Sequence, residues 1–165
     1  MSDDEFVDIH EPPESSGIDS DKTPILLHPQ KRKDLFEAGQ ERFNDERFFE
    51  AHEEWEKLWR YEQGRDRAFI QGLIQAAGHF VHLRKGNWSG ASRLADLVKQ
   101  KLVVPPANRL FRAIDVMPLI SALNYNAVEV EKMLAKASAS KASSGVDFPP
   151  PPPQGLGRFL VPKLL

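Results

Sequence analysis

The apolar residues of this chain crowd between Leu35 and Leu134. They recur there at intervals of three and four, the spacing that lines up side chains on one face of a helix. Leu35, Phe36, Ala38 and Phe43 predict a first helix over 31–44. Asp45 is the expected N-cap of a second over 46–61, because its carboxylate can accept from the free amides of the next turn. Gly64 closes that stretch, and Arg65 or Asp66 opens a third helix that continues to Lys85. Gly86-Asn87 reads as a stop and a turn. A fourth helix is expected over 89–103, a short one over 107–114 beyond Pro105-Pro106, and a last amphipathic one over 118–136.

The pattern implies an all-α fold: a compact bundle of five to six helices built from helical hairpins, occupying residues 31–137. Phe48-Phe49-Glu50-Ala51 and Trp88-Ser89-Gly90-Ala91 each follow a turn containing Asn and open a helix. That faint repeat supports helix pairs as the building unit.

The flanks read differently. Residues 1–30 are acidic, carry Pro12, Pro13, Pro24 and Pro29, and show no periodicity, which predicts a disordered arm. His10 and His28 fall in it and carry no expected role. Residues 138–165 read as a Ser/Ala/Lys linker, a polyproline II run over 149–153 and an end over 156–165 that is apolar enough to dock, with Phe159, Leu160, Val161, Leu164 and Leu165. Phe148 and the prolines that follow suit a weak contact with a proline-reading domain through 148–153. The favoured reading is a stiff spacer that holds the apolar end away from the core.

Composition narrows the chemistry. With 22 Lys and Arg against 24 Asp and Glu, the formal charge is −2, which speaks against a nucleic-acid binder that must displace phosphate counterions. There is no cysteine, so disulfides and thiolate chemistry are excluded. The start, Met1-Ser2-Asp3-Asp4-Glu5, is neither basic nor apolar. The longest apolar run is broken by Gln71, Gln75, His79 and His82 and does not suit a bilayer. The expectation is a cytoplasmic protein without a membrane segment.

Two helices carry polar residues where apolar ones would be expected. In the second, His52 and Glu56 lie one turn apart on the arc that holds Phe48, Phe49, Ala51, Trp55, Leu58 and Trp59, with Glu53 at its edge. In the third, which is apolar nearly all round, Gln71, Gln75, His79 and His82 form a single polar stripe within about 80°. Gly72, Ala76, Ala77 and Gly78 beside it allow close approach or leave room for a ligand. Packing that turns the two stripes toward each other would let the buried polar groups satisfy one another.

Two uses of such a cluster compete. One is a core hydrogen-bond network of His52 and Glu56 with Gln75 and His82. The other is a site for a small ligand or a divalent metal, the metal held by His52, Glu56 and His82. His-Glu-x-x-Glu lacks the second histidine of the zinc-protease signature. Trp55 reads as a core anchor. Trp59 reads as an anchor or a pocket wall, and Arg60 as a partner of Glu56.

The string Phe43-Asn44, Phe48-Phe49-Glu50-Ala51-His52-Glu53, Glu56 and Leu58-Trp59-Arg60 resembles the signature of the domain-of-unknown-function family numbered 309. The resemblance continues through Gln71-Gly72-Leu73-Ile74-Gln75-Ala76, His82-Leu83, Gly86-Asn87 and Gly90-Ala91, and covers residues 34–102. It implies a small all-helical fold and marks His52, Glu53, Glu56, Trp59, Gln75 and His82. It implies no reaction. The functional expectation is a helical binding or interaction module for a small ligand or a protein partner, with Gln71 added to the pocket candidates. The alternative is a metal-dependent hydrolase with Glu53 or Glu56 as general base for a metal-bound water.

Overall fold

A computed structural model describes residues 26–144 and 161–165. Six helices follow one another, and no strand occurs among the described residues: α1 Pro29–Asn44, α2 Phe48–Trp59, α3 Gly64–Lys85, α4 Trp88–Leu102, α5 Arg109–Arg112 and α6 Met117–Ser144. Consecutive long helices pack as hairpins, α1 on α2, α2 on α3 and α3 on α4, and α6 lies against α4.

α1 starts earlier than the periodicity suggests. Pro29 stands in its first turn, where a missing N–H costs nothing, and the His28 ring accepts from the Gln30 amide at 3.2 Å. His28 is therefore a helix cap rather than part of a featureless arm. Leu35, Phe36, Gly39 and Phe43 form the buried face.

Asp45 does not cap α2. Its own N–H still bonds back to Glu41, so it closes α1. Glu46 then takes a left-handed conformation with φ 60°, which turns the chain, and α2 begins only at Phe48 behind Arg47, whose side chain makes no cap bond. α2 also ends at Trp59, short of the expected 61, and the helical start of α3 reaches back to Gly64. At the far end of α3, Gly86 is left-handed with φ 70°. The Asn87 amide reaches the His82 carbonyl at 2.9 Å and the Gly86 amide the Leu83 carbonyl at 3.2 Å, which together satisfy the last carbonyls of the helix. Asn87 at once caps α4 through Gly90 N, 3.0 Å.

Two aromatic groups hold the hairpins together. Phe43, Phe48 and Phe80 lie with ring centroids 4.9–5.6 Å apart, joining α1, α2 and α3. Phe36, Phe69 and Phe111 bring α5 onto α1 and α3. Asp66 fixes the approach to α5 by accepting from the Ala107 and Asn108 amides at 2.7 and 2.9 Å.

A buried ion pair closes the α2–α3 loop onto α1. Arg32 Nε donates to Glu62 Oε1 at 2.6 Å, and Glu62 is only 4% exposed. Burial pushes the Glu62 carboxyl up from its ordinary value, and the Arg32 bond and charge pull it back. Removing the arginine strands the carboxylate, so Arg32→Met should destabilise by about 3 kcal/mol. Arg32→Met with Glu62→Leu should recover most of the loss, because no charge is then left to desolvate. Urea melts of the three variants decide this, and equal losses in the single and double variants would sink it.

Residues 138–144, read from the sequence as linker, are helical. α6 runs unbroken to Ser144, since Ala139, Lys141 and Ala142 favour a helix and neither Gly nor Pro occurs between Pro118 in its first turn and Gly145. The apolar end is not held away from the core either. Leu164 is fully buried in it, and Val161 packs against it. The acidic stretch 1–25 and the proline run lie outside the described residues.

Candidate functional site

The α2–α3 hairpin is pinned in register at two levels. Near the open end Phe48 stacks on Phe80, centroids 4.9 Å apart. Near the loop Arg67 lies over the Trp59 ring, its Cζ 3.7 Å from the centroid, and also donates to the Trp59 and Glu62 carbonyls. His52, one turn beyond Phe48, and Gln75, two turns beyond Arg67, therefore sit at a common level between the pins. Both are 3% exposed.

The α3 stripe does not face α2 alone. Its loop end, extended by Arg67 one turn before Gln71, reaches α2 at Trp59. Its other end reaches α4: the His79 ring bonds through Nδ1 to the Ala91 carbonyl at 2.8 Å. A carbonyl can only accept, so Nδ1 carries the proton and Nε2 presents a lone pair. Burial holds His79 down to about 4 against the Ala91 bond, which pulls the other way, so the ring is neutral near pH 7. His82 is tied to the turn, its Nδ1 accepting from the Asn87 amide at 3.0 Å. The stripe thus spans from α2 to α4 across the buried surface of α3.

The sequence candidates divide on this geometry. His52, Gln75 and His82 are buried, and the His52 ring lies against Phe49 with centroids 6.1 Å apart. Gln71 and Trp59 are half-buried. Glu53 is exposed. Glu56, placed by the helical wheel among the aromatic residues, is partly exposed and pairs with Arg60 at 3.4 Å. The arc of α2 is wider than its buried face, and the charge settles at the rim. Among the described residues no group of three or more His, Asp or Glu side chains is placed to hold a metal ion.

Three polar atoms stand out. Gln75 Oε1, His79 Nε2 and Trp59 Nε1 are buried and have no hydrogen-bond partner among the described residues. Gln75 and His79 are one turn apart on α3, and Trp59 stands at the loop end of the same hairpin. Sequence reasoning placed His79 in the stripe but not among the pocket residues, and it passed over Arg67. The four-residue step from Arg67 to Gln71 was the available signal.

Residues 36–94 match the model of the family described as Domain of unknown function (DUF309), the family whose signature the sequence resembles. The match takes in α2, α3 and the start of α4, and with them every residue of this site. No curated protein and no solved structure matches the chain.

Proposed function

We propose that the chain is a small helical binding module whose ligand lies along the α3 stripe, between α2 and α4. One observation carries this reading: three buried polar atoms, Gln75 Oε1, His79 Nε2 and Trp59 Nε1, without hydrogen-bond partners among the described residues. A buried polar group left unpaired costs about 1–3 kcal/mol, and native domains carry few of them. Three in one hairpin suit groups whose partner comes from outside the chain.

The chemistry of the atoms limits the ligand. His79 Nε2 and Gln75 Oε1 accept, while the Trp59 indole donates. With His79 neutral, the site offers acceptors to a neutral molecule rich in N–H or O–H donors, such as an amide, a urea or a polyol.

Ligand-observed NMR with a set of neutral amide- and hydroxyl-bearing fragments tests the reading. Fragments should bind with dissociation constants near 1 mM, as their few atoms permit. Binding should vanish in Gln75→Leu, whose melting temperature should equal or exceed that of the parent, because an apolar replacement removes an unpaired buried acceptor. Fragments that bind the Leu variant equally well, or a variant that melts far lower, would assign Gln75 to the core.

A further inference from the structure

The segment 161–165 is held by a different part of the molecule and in a different manner. Asn44, the last residue of α1, reads the Leu164 backbone in both directions: its Oδ1 accepts from Leu164 N at 2.7 Å, and its Nδ2 donates to Leu164 O at 2.9 Å. Gln40, one turn earlier, donates to the same oxygen at 2.8 Å. The Asp115 amide donates to Leu165 O at 3.1 Å. The Lys163 ammonium donates to the Asn44 carbonyl, at the helix end where carbonyls lack intrahelical donors and the dipole favours a cation. The Leu164 side chain is fully buried.

These contacts have the character of ligand recognition. Side-chain amides and a loop N–H hold a non-helical backbone, one apolar socket takes a leucine, and a helix C-terminus selects a base beside it. The segment belongs to no helix. It is separated from the end of α6 by residues 145–160, sixteen positions that include the proline run.

We propose that the last turn of α1 and the turn before α6 form a peptide-recognition site for a non-helical Lys-Leu segment, and that residues 161–165 are its intramolecular occupant. Another polypeptide that presents a base followed by a leucine is the partner this site fits, since Leu164 is fully buried and the Leu165 side chain stands in solvent. It binds by displacing the tail. A tethered segment of this length competes at an effective concentration of about 1 mM. A tail whose free peptide binds at about 100 μM therefore keeps the site closed roughly ten to one, and a partner peptide meets a roughly ten-fold weaker apparent affinity in the intact chain.

The test severs the tether in the folded full-length chain, through a protease recognition sequence inserted after Gln154. At submicromolar concentration the cut tail should separate on gel filtration, and the remaining domain should keep its helical circular dichroism at a lowered melting temperature. A fluorescent peptide of residues 156–165 should then bind the cut domain near 100 μM and the uncut chain about ten-fold more weakly. The same peptide with Leu164→Asp should not bind, and Asn44→Ala in the domain should weaken binding at least ten-fold without loss of helicity. Unfolding on release of the tail would overturn the proposal, because the segment would then be part of the fold. Failure of the peptide to rebind a folded cut domain would also overturn it, as would rebinding indifferent to the Leu164→Asp change.

Discussion

Lowering the pH from 6.5 to about 4 will cost the protein about 3 kcal/mol of stability through one residue, His79. In the unfolded chain the imidazole titrates at its ordinary 6.5, whereas in the fold burial holds it down to about 4. Between those values the unfolded state binds the proton and the folded state does not, so unfolding is favoured increasingly as pH falls. Above 6.5 both states are neutral and the stability is fully present. Below about 4 the ring must be charged inside the core, and the loss is complete. The difference between 6.5 and about 4 corresponds to about 3 kcal/mol.

His79→Asn separates this contribution from the rest. The asparagine amide can stand in for the Nδ1 donor to the Ala91 carbonyl, and it does not titrate. The variant should be less stable at pH 7 because of the space it leaves, yet its stability should change little between pH 6.5 and about 4. Glu62 acts in the opposite sense. Its folded pKa is raised, so its contribution grows as pH falls through that value and is lost as pH rises through it. It therefore blunts the acid end of the profile without creating the loss. Urea unfolding at half-unit pH steps reads both effects. Parallel profiles for the parent and His79→Asn would remove His79 as the cause.

The parts of this molecule that were legible in the sequence are those written by periodicity. Leu35, Phe36, Phe43, Phe48, Leu58, Leu73, Phe80, Leu94, Val98, Leu119 and Leu123 are buried and recur at helical spacing, so the six helices could be read with errors of a few residues at their ends, except at the end of α6, where the apolar period stops but the helix runs on to Ser144. The turns were less legible. Nothing in Asn44-Asp45-Glu46 announces that Glu46, rather than a glycine, takes φ 60°, so Asp45 was given to the wrong helix. The polar stripe was visible because polar residues in an apolar helix break the pattern. Which neighbour each polar residue meets is decided by tertiary packing. His79 turns to the Ala91 carbonyl of α4 while Arg67 covers Trp59 of α2, and both contacts depend on helix crossings that spacing does not encode. Glu56 shows the same limit: the wheel put it among aromatic side chains, and its length carries it to the rim beside Arg60. The tail was least legible, because one buried leucine and two amide readers on α1 leave no periodic trace.

Replacing Gly39 by alanine will destabilise the protein even though alanine is the better helix former. Gly39 lies inside α1, where a glycine-to-alanine change would ordinarily gain about 1 kcal/mol. Here the added Cβ would overlap the indole of Trp55, which lies directly on the glycine. That ring is fully buried, is packed 5.9 Å from Phe43, and donates through Nε1 to the Phe36 carbonyl at 3.2 Å. It cannot move aside without breaking that bond and displacing a packed neighbour. Overpacking of this kind costs about 1–3 kcal/mol, and the lost buried hydrogen bond adds about 1 kcal/mol more. The gain in propensity and the lost hydrogen bond roughly cancel, so the net effect of Gly39→Ala should be a loss of about 1–3 kcal/mol. Trp55→Leu alone should lose about 3 kcal/mol by leaving a cavity against α1. The double variant should lose less than the sum by at least about 1 kcal/mol, because the new methyl then fills part of the space the indole has left. Denaturant melts of the two single variants and the double variant form the cycle. An additive double variant would mean that Gly39 and Trp55 are not in close contact, and a stabilised Gly39→Ala would mean that helix propensity alone governs the position.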